Sequence, residues 1–91
     1  MNAPTLASAP RVGSGFRFQF EPAQDCYVLL YPEGMVKLNP PAGEIIKRCD
    51  GRQNIEAMVA DLESTFATTG LAGDVIAFVE MAGKQRWLAW E

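Results

Sequence analysis

No histidine occurs in the 91 residues, which removes the side chain most often used as a general base or neutral metal ligand near pH 7. Cysteine is scarce. Cys26 and Cys49 have no CxxC spacing and no further soft ligands to complete a tetrahedral metal site, so both read as small apolar groups. A Cys26–Cys49 disulfide is left open by the sequence, yet the N-terminus carries neither a charged n-region nor an apolar h-region that would direct the chain to an oxidising compartment. No apolar run approaches the length that spans a bilayer, so the cytoplasm is the expected location and no membrane partner is expected. Cations are few as well: eight Lys and Arg face eleven Asp and Glu, giving a net charge of -3 and a pI near 4.8. Such a balance leaves no broad surface for neutralising phosphates and disfavours nucleic acid. Lys47, Arg48 and Arg52 lie close together in sequence and read as solvated charges at the end of one helix and the start of the next. Glycine-rich phosphate loops, GxSxG and HExxH are missing too, and the carboxylates fall mostly at turns or on solvent faces. The expectation is a protein that is not an enzyme and holds no cofactor or metal.

What is present is an ordinary globular composition, 48% hydrophobic and 21% charged, in a chain long enough for one domain. Residues 1–15 hold two prolines and two glycines without an apolar period and read as a flexible N-terminal tail; the folded domain is expected over 16–91. Phe16, Phe18 and Phe20 alternate with Arg17, Gln19 and Glu21, the period of a half-buried strand. After turn chemistry at Pro22–Asp25, the apolar run from Cys26 to Tyr31 predicts a central strand, and Pro32-Glu33-Gly34 predicts a tight turn into a short edge strand, Met35 to Leu38.

Three helices follow. Asn39 caps the first, with Pro40 at its first position and Ala42, Ile45, Ile46 and Cys49 on its apolar stripe. Asn54 caps a second, whose stripe is Ile55, Met58, Val59, Leu62 and Phe66. Ala67–Gly73 reads as a loop, and Asp74 is expected to cap a third helix with the stripe Val75, Phe78, Val79 and Ala82. Trp87–Trp90 reads either as a further short strand or as a closing flap.

With catalytic groups missing, binding surface is what remains, and the most specific piece is the free edge of Met35–Leu38, whose unpaired N–H and C=O groups form a template for another chain. The residues alone do not decide whether that edge is used or is guarded by Lys37. At this point a resemblance enters. Leu29-Leu30-Tyr31-Pro32-Glu33-Gly34-Met35-Val36-Lys37-Leu38-Asn39, then Cys49-Asp50-Gly51, then Asp74-Val75, Phe78 and Trp87-Leu88, resemble the PqqD family of pyrroloquinoline quinone (PQQ) biosynthesis over roughly residues 9 to 90. The resemblance implies an α+β fold, winged-helix-like, with a three-stranded antiparallel sheet followed by a three-helix bundle. It also implies a peptide chaperone, a recognition element that binds the ribosomally made precursor PqqA and presents it to the radical SAM enzyme PqqE. In such domains the peptide lies as an added strand along the third strand, in a groove walled by the third helix. Those elements match Met35, Val36, Lys37 and Leu38 on the strand and Ile76, Val79, Glu80 and Gly83 on the helix, the last four at i, i+3, i+4, i+7 spacing.

The chain departs from the family pattern at Arg86, where members carry a small residue such as glycine before Trp-Leu, and at Pro40-Pro41. Tandem prolines are expected to hold the chain extended ahead of the helix, a stiff link that favours exchange of the sheet between two chains; the expected state is a monomer or a swapped homodimer. The competing reading is a winged-helix DNA-binding protein. Its recognition helix would need cations or amides at the start, whereas Asp74-Val75-Ile76-Ala77-Phe78 opens with an acid and apolar residues.

Overall fold

A computed structural model describes residues 2–91. The fold is α+β: a three-stranded antiparallel sheet, three helices packed on one of its faces, and a small two-stranded sheet that ties the two ends of the chain together.

In chain order, β1 spans Arg11–Val12, β2 Arg17–Glu21, β3 Cys26–Tyr31 and β4 Gly34–Lys37; α1 spans Pro40–Lys47, α2 Ile55–Thr65 and α3 Ala72–Lys84; β5 is Leu88–Ala89. The main sheet has the order β2-β3-β4, so β3 is central as its apolar run predicts. Phe18 pairs with Leu29 and Leu29 with Val36, which puts Phe16, Phe18, Phe20, Tyr27, Leu29, Tyr31 and Val36 on one face. The rings form a ladder on it: Phe18 stacks on Tyr27 with centroids 4.8 Å apart, Phe20 meets Tyr27 edge-on at 5.3 Å, and Phe16 meets Tyr31 at 5.6 Å. α1 lies against this ladder at Gly43, where a Cβ would stand 2.8 Å from the Tyr27 ring; glycine there is what lets helix and sheet approach.

Two of the three helix starts have a local cause. The Asn39 side chain accepts a hydrogen bond from the Ala42 amide (2.9 Å) and the Asn54 side chain one from the Ala57 amide (2.8 Å), as their positions predict. The third start differs. Leu71 occupies the cap position without a side-chain bond, and Asp74 is the third residue of α3, where its charge still faces the positive end of the helix. Pro40 and Pro41 also correct the expectation of an extended link: both lie inside the first turn of α1, because neither of the missing N–H groups has an intrahelical acceptor there. The core joins Leu29 and Leu38 of the sheet with Ile45, Ile46, Ile55, Met58, Val75, Val79, Leu88 and Trp90, so the sheet packs on helices of the same chain.

Residues 2–15 are placed against the domain, where composition reads a free tail; Met1, the rest of that stretch, lies outside the described residues. Pro4 and Pro10 are buried, and β1 pairs with β5 in the register Arg11↔Ala89 and Val12↔Leu88. Ser8 and Leu6 carbonyls accept hydrogen bonds from the Ile55 amide (2.8 Å) and the Glu56 amide (3.0 Å), covering donors at the start of α2 that the helix itself leaves open. A proline-rich segment without periodicity is thus used as an irregular brace. Trp87–Trp90 supplies the opposing strand of the two alternatives the sequence left open.

Candidate functional site

Along a strand the backbone groups of successive residues address opposite neighbours, so one hydrogen bond sets the pattern for a whole sheet. The Leu38 amide donates to the Tyr27 carbonyl (3.0 Å). Tyr27, Leu29 and Tyr31 therefore address β4, while Cys26, Val28 and Leu30 address β2. With Leu29 opposite Val36 and Tyr31 opposite Gly34, the inward-facing residues of β4 are Gly34 and Val36, and the outward-facing ones are Met35 and Lys37. No element among the described residues pairs with that outer side. The edge thus offers two N–H and two C=O groups to solvent, from Met35 and Lys37, while their side chains lie on the face away from the helices. Met35 is 40% exposed and Lys37 is exposed; Val36 and Leu38 turn toward the core, Val36 half-buried and Leu38 buried.

The four expected α3 residues differ in their surroundings. Val79 is fully buried in the core and Ile76 packs partly against it. Glu80 and Gly83 line a hollow of about 330 Å³ shared with Asn2, Ala3, Pro4 and Trp90, so the N-terminal brace stands on that side of the helix. An i, i+3, i+4, i+7 set shares a helix face whatever lies opposite, and here its C-terminal half, Glu80 and Gly83, meets the stretch read as a tail.

A different cleft, of about 460 Å³, opens among the three helices. Pro40, Pro41 and Ile45 of α1, Leu62 and Phe66 at the end of α2, and Leu71 and Val75 at the start of α3 give it an apolar lining, with Glu44 and Asp74 at its acidic positions. Sequence reasoning missed it. The available signal was Phe66, assigned to the buried stripe of α2 but 51% exposed, since it caps the end of the helix and projects beyond the core.

The electrostatics agree with the scarcity of cations. Arg48 donates to Glu44 (2.8 Å) and to Asp61 (2.7 Å), and that bond to Arg48 holds the Asp61 carboxyl below its ordinary range. Lys47 sits 5.9 Å from the centre of the Tyr27 ring. Of the sequence cluster Lys47, Arg48 and Arg52, Arg48 is thus taken up in ion pairs and Lys47 lies over a ring, and α3 opens with Ala72-Gly73-Asp74, without the cations or amides of a DNA-reading helix. Among the described residues no group of His, Cys, Asp and Glu could hold a metal ion, both cysteines are free thiols, and no helix is long and apolar enough to cross a membrane.

Known proteins resemble this chain over nearly its whole length. The solution structure of the PqqD truncation of Methylobacterium extorquens PqqCD, described as a stand-alone recognition element for ribosomally synthesised and post-translationally modified peptides, superposes with a TM-score of 0.79 at 25% identity, covering 96% of this chain and 95% of the other. A protein of Pseudomonas aeruginosa strain UCBPP-PA14 named PqqA binding protein is 56% identical over 97% of each chain, and one of the same name from Azotobacter vinelandii is 48% identical over the same share. Residues 26–88, from the first residue of β3 to the first of β5, match the family described as Coenzyme PQQ synthesis protein D (PqqD). The sheet with its open outer strand, the three helices and these matches together mean that the chain belongs to the PqqD family.

Proposed function

We propose that this protein is a non-catalytic peptide chaperone of PQQ biosynthesis in the cytoplasm, which binds the precursor PqqA along β4 and presents it to the radical SAM enzyme PqqE. The observation that carries the reading is the pair of outward-facing residues, Met35 and Lys37, on a sheet edge that the rest of the described chain leaves uncovered. An added strand satisfies those backbone groups whatever its side chains are, and alternate side chains on the helix-facing side then set specificity. The relatives' name, PqqA binding protein, supports the choice of guest.

Within this reading Met35, Val36, Lys37 and Leu38 form the edge, and the apolar cleft among the helices receives side chains of the guest. Its lining comes from Leu71, Asp74 and Val75 at the start of α3 and from Pro40 and Pro41 of α1. A helix placed this way contributes its first turns, where Asp74 is exposed to meet a cationic or hydrogen-bonding group of the peptide.

Amide exchange measured by NMR, with and without saturating PqqA, tests the edge residue by residue. In the free protein the Met35 and Lys37 amides exchange fast, while those of Val36 and Leu38, directed at β3, are protected. Peptide binding slows Met35 and Lys37 by roughly tenfold or more and leaves Val36 and Leu38 little changed. A peptide that binds while Met35 and Lys37 remain fast would rule out strand addition at β4.

A further inference from the structure

The sheet has a second edge. In β2, Arg17, Gln19 and Glu21 pair with Leu30, Val28 and Cys26, the β3 residues that address β2, so the backbone groups of Phe18 and Phe20 face outward. No described element covers that side. The strand reads Arg-Phe-Gln-Phe-Glu: it contains neither proline nor lysine, the usual guards of an edge, and its two opposite charges sum to zero. It is also self-complementary. Turned end for end about Gln19, it places Arg17 opposite Glu21, Phe18 opposite Phe20 and Gln19 opposite itself.

We propose that β2 is a self-association edge at which two copies of this chain pair antiparallel about a two-fold axis through Gln19, joining their sheets into one of six strands. Backbone and side chains select the same register. Only an alignment that sets even-numbered residues against even-numbered ones brings outward groups together, and of these the one centred on Gln19 gives two Phe18–Phe20 pairs, each exchanging both N–H···O bonds. It is also the one that sets both Arg17–Glu21 pairs opposite each other. Shifting the centre to Phe18 sets Arg17 against Gln19; shifting it to Phe20 sets Glu21 against Gln19. Arg17 is exposed, and Glu21 spends one oxygen on the Ala23 amide (3.1 Å), leaving the other for the partner. Phe20, 46% exposed at the end of the aromatic ladder, gains a ring across the interface.

The contact is isologous and closes on itself, so it produces a dimer and no fibre. The two β4 edges remain at opposite ends of the joined sheet, five strand spacings or about 24 Å apart. A single strand pair buries little surface, so association is weak and appears at about 0.1–1 mM protein.

Sedimentation of the full-length protein over that range provides the test. The wild type is expected to approach twice its 10.0 kDa mass. Arg17→Glu and Glu21→Arg each set like charges opposite each other at two places and are expected to weaken the dimer roughly tenfold or more. Mixing the two variants restores both pairs in a heterodimer, and the mass rises again. A Gln19→Cys variant in a Cys26→Ser background is expected to oxidise to a covalent dimer, since the two Cα atoms approach to about 4.5 Å at a non-hydrogen-bonded pair. A wild type that stays monomeric at about 1 mM, or a dimer indifferent to both charge reversals as a sheet-exchanged dimer would be, would overturn the proposal.

Discussion

Arg86 sits with φ at 65°, in the left-handed region that costs a residue with a Cβ roughly 1–2 kcal/mol. It does so because α3 closes with two reversed bonds, the Trp87 amide to the Ala82 carbonyl (2.9 Å) and the Arg86 amide to the Gly83 carbonyl (3.0 Å), which together demand that backbone turn at Arg86. A glycine at this position would adopt that turn without the Cβ penalty. Arg86→Gly is expected to raise stability by about 1 kcal/mol, read as a higher urea midpoint at unchanged slope. Ala67, at φ 51° after α2, occupies the equivalent place and is expected to respond in the same direction. Cys49 illustrates the opposite case, a residue whose surroundings suit one protonation state. Burial, helped by the Asp50 carboxylate, pushes its thiol from 9.0 up to about 12, and its Sγ–H donates to the Ile45 carbonyl (3.2 Å). The fold therefore favours the protonated form: its contribution is constant below pH 9.0 and is lost as pH climbs toward about 12, while the unfolded chain ionises first. Between about pH 8 and about pH 10.5 the unfolding free energy from urea titration is expected to fall by up to about 2 kcal/mol more in the wild type than in Cys49→Ala. Thiol reagents at neutral pH are expected to label half-buried Cys26 and to reach Cys49 only on unfolding.

At the scale of elements, what the sequence discloses is what has a local cause. Asn39 and Asn54 cap helices through their own side chains, and the alternation at Phe16–Glu21 needs no distant partner to be recognised. What it hides depends on contacts made across the chain. Leu71 starts α3 with no side-chain cap while its amide donates to Glu63 (3.0 Å), a bond invisible to local reading, so the capping role goes by default to Asp74. The free edge at β4 is legible because strand lengths and turns are local; the apolar cleft is assembled from three helices and is not. The segment before β2 is the clearest instance. Its order comes from the start of α2, from Gly51, whose amide donates to the Pro10 carbonyl (2.9 Å), and from β5, none of them near in sequence. Deleting the first ten residues is expected to cost roughly 2–4 kcal/mol, from three backbone bonds and two buried prolines, measurable as a lower urea midpoint.

For the whole molecule, the arrangement is a sheet sealed on one face by helices and open at both lateral strands, with acidic groups outnumbering basic ones. The two open strands differ in kind. β4 presents Lys37 and a free backbone, which suits a guest of variable sequence; β2 presents a self-complementary pair of charges, which suits a copy of itself. Two such edges on one small sheet allow a guest and a second copy to be held together without competing for backbone.

The pairing of β1 with β5 also bears on time. Tyr31 and Gly34 meet across a two-residue turn, so β3 and β4 find each other quickly, whereas Arg11 and Ala89 can meet only after nearly the full chain has been gathered in. Closing the ends is thus expected to be the last event of folding, a latch on the finished domain. Stopped-flow mixing of the chain lacking its first ten residues is expected to show refolding at nearly the wild-type rate, with almost all of the lost stability appearing as faster unfolding.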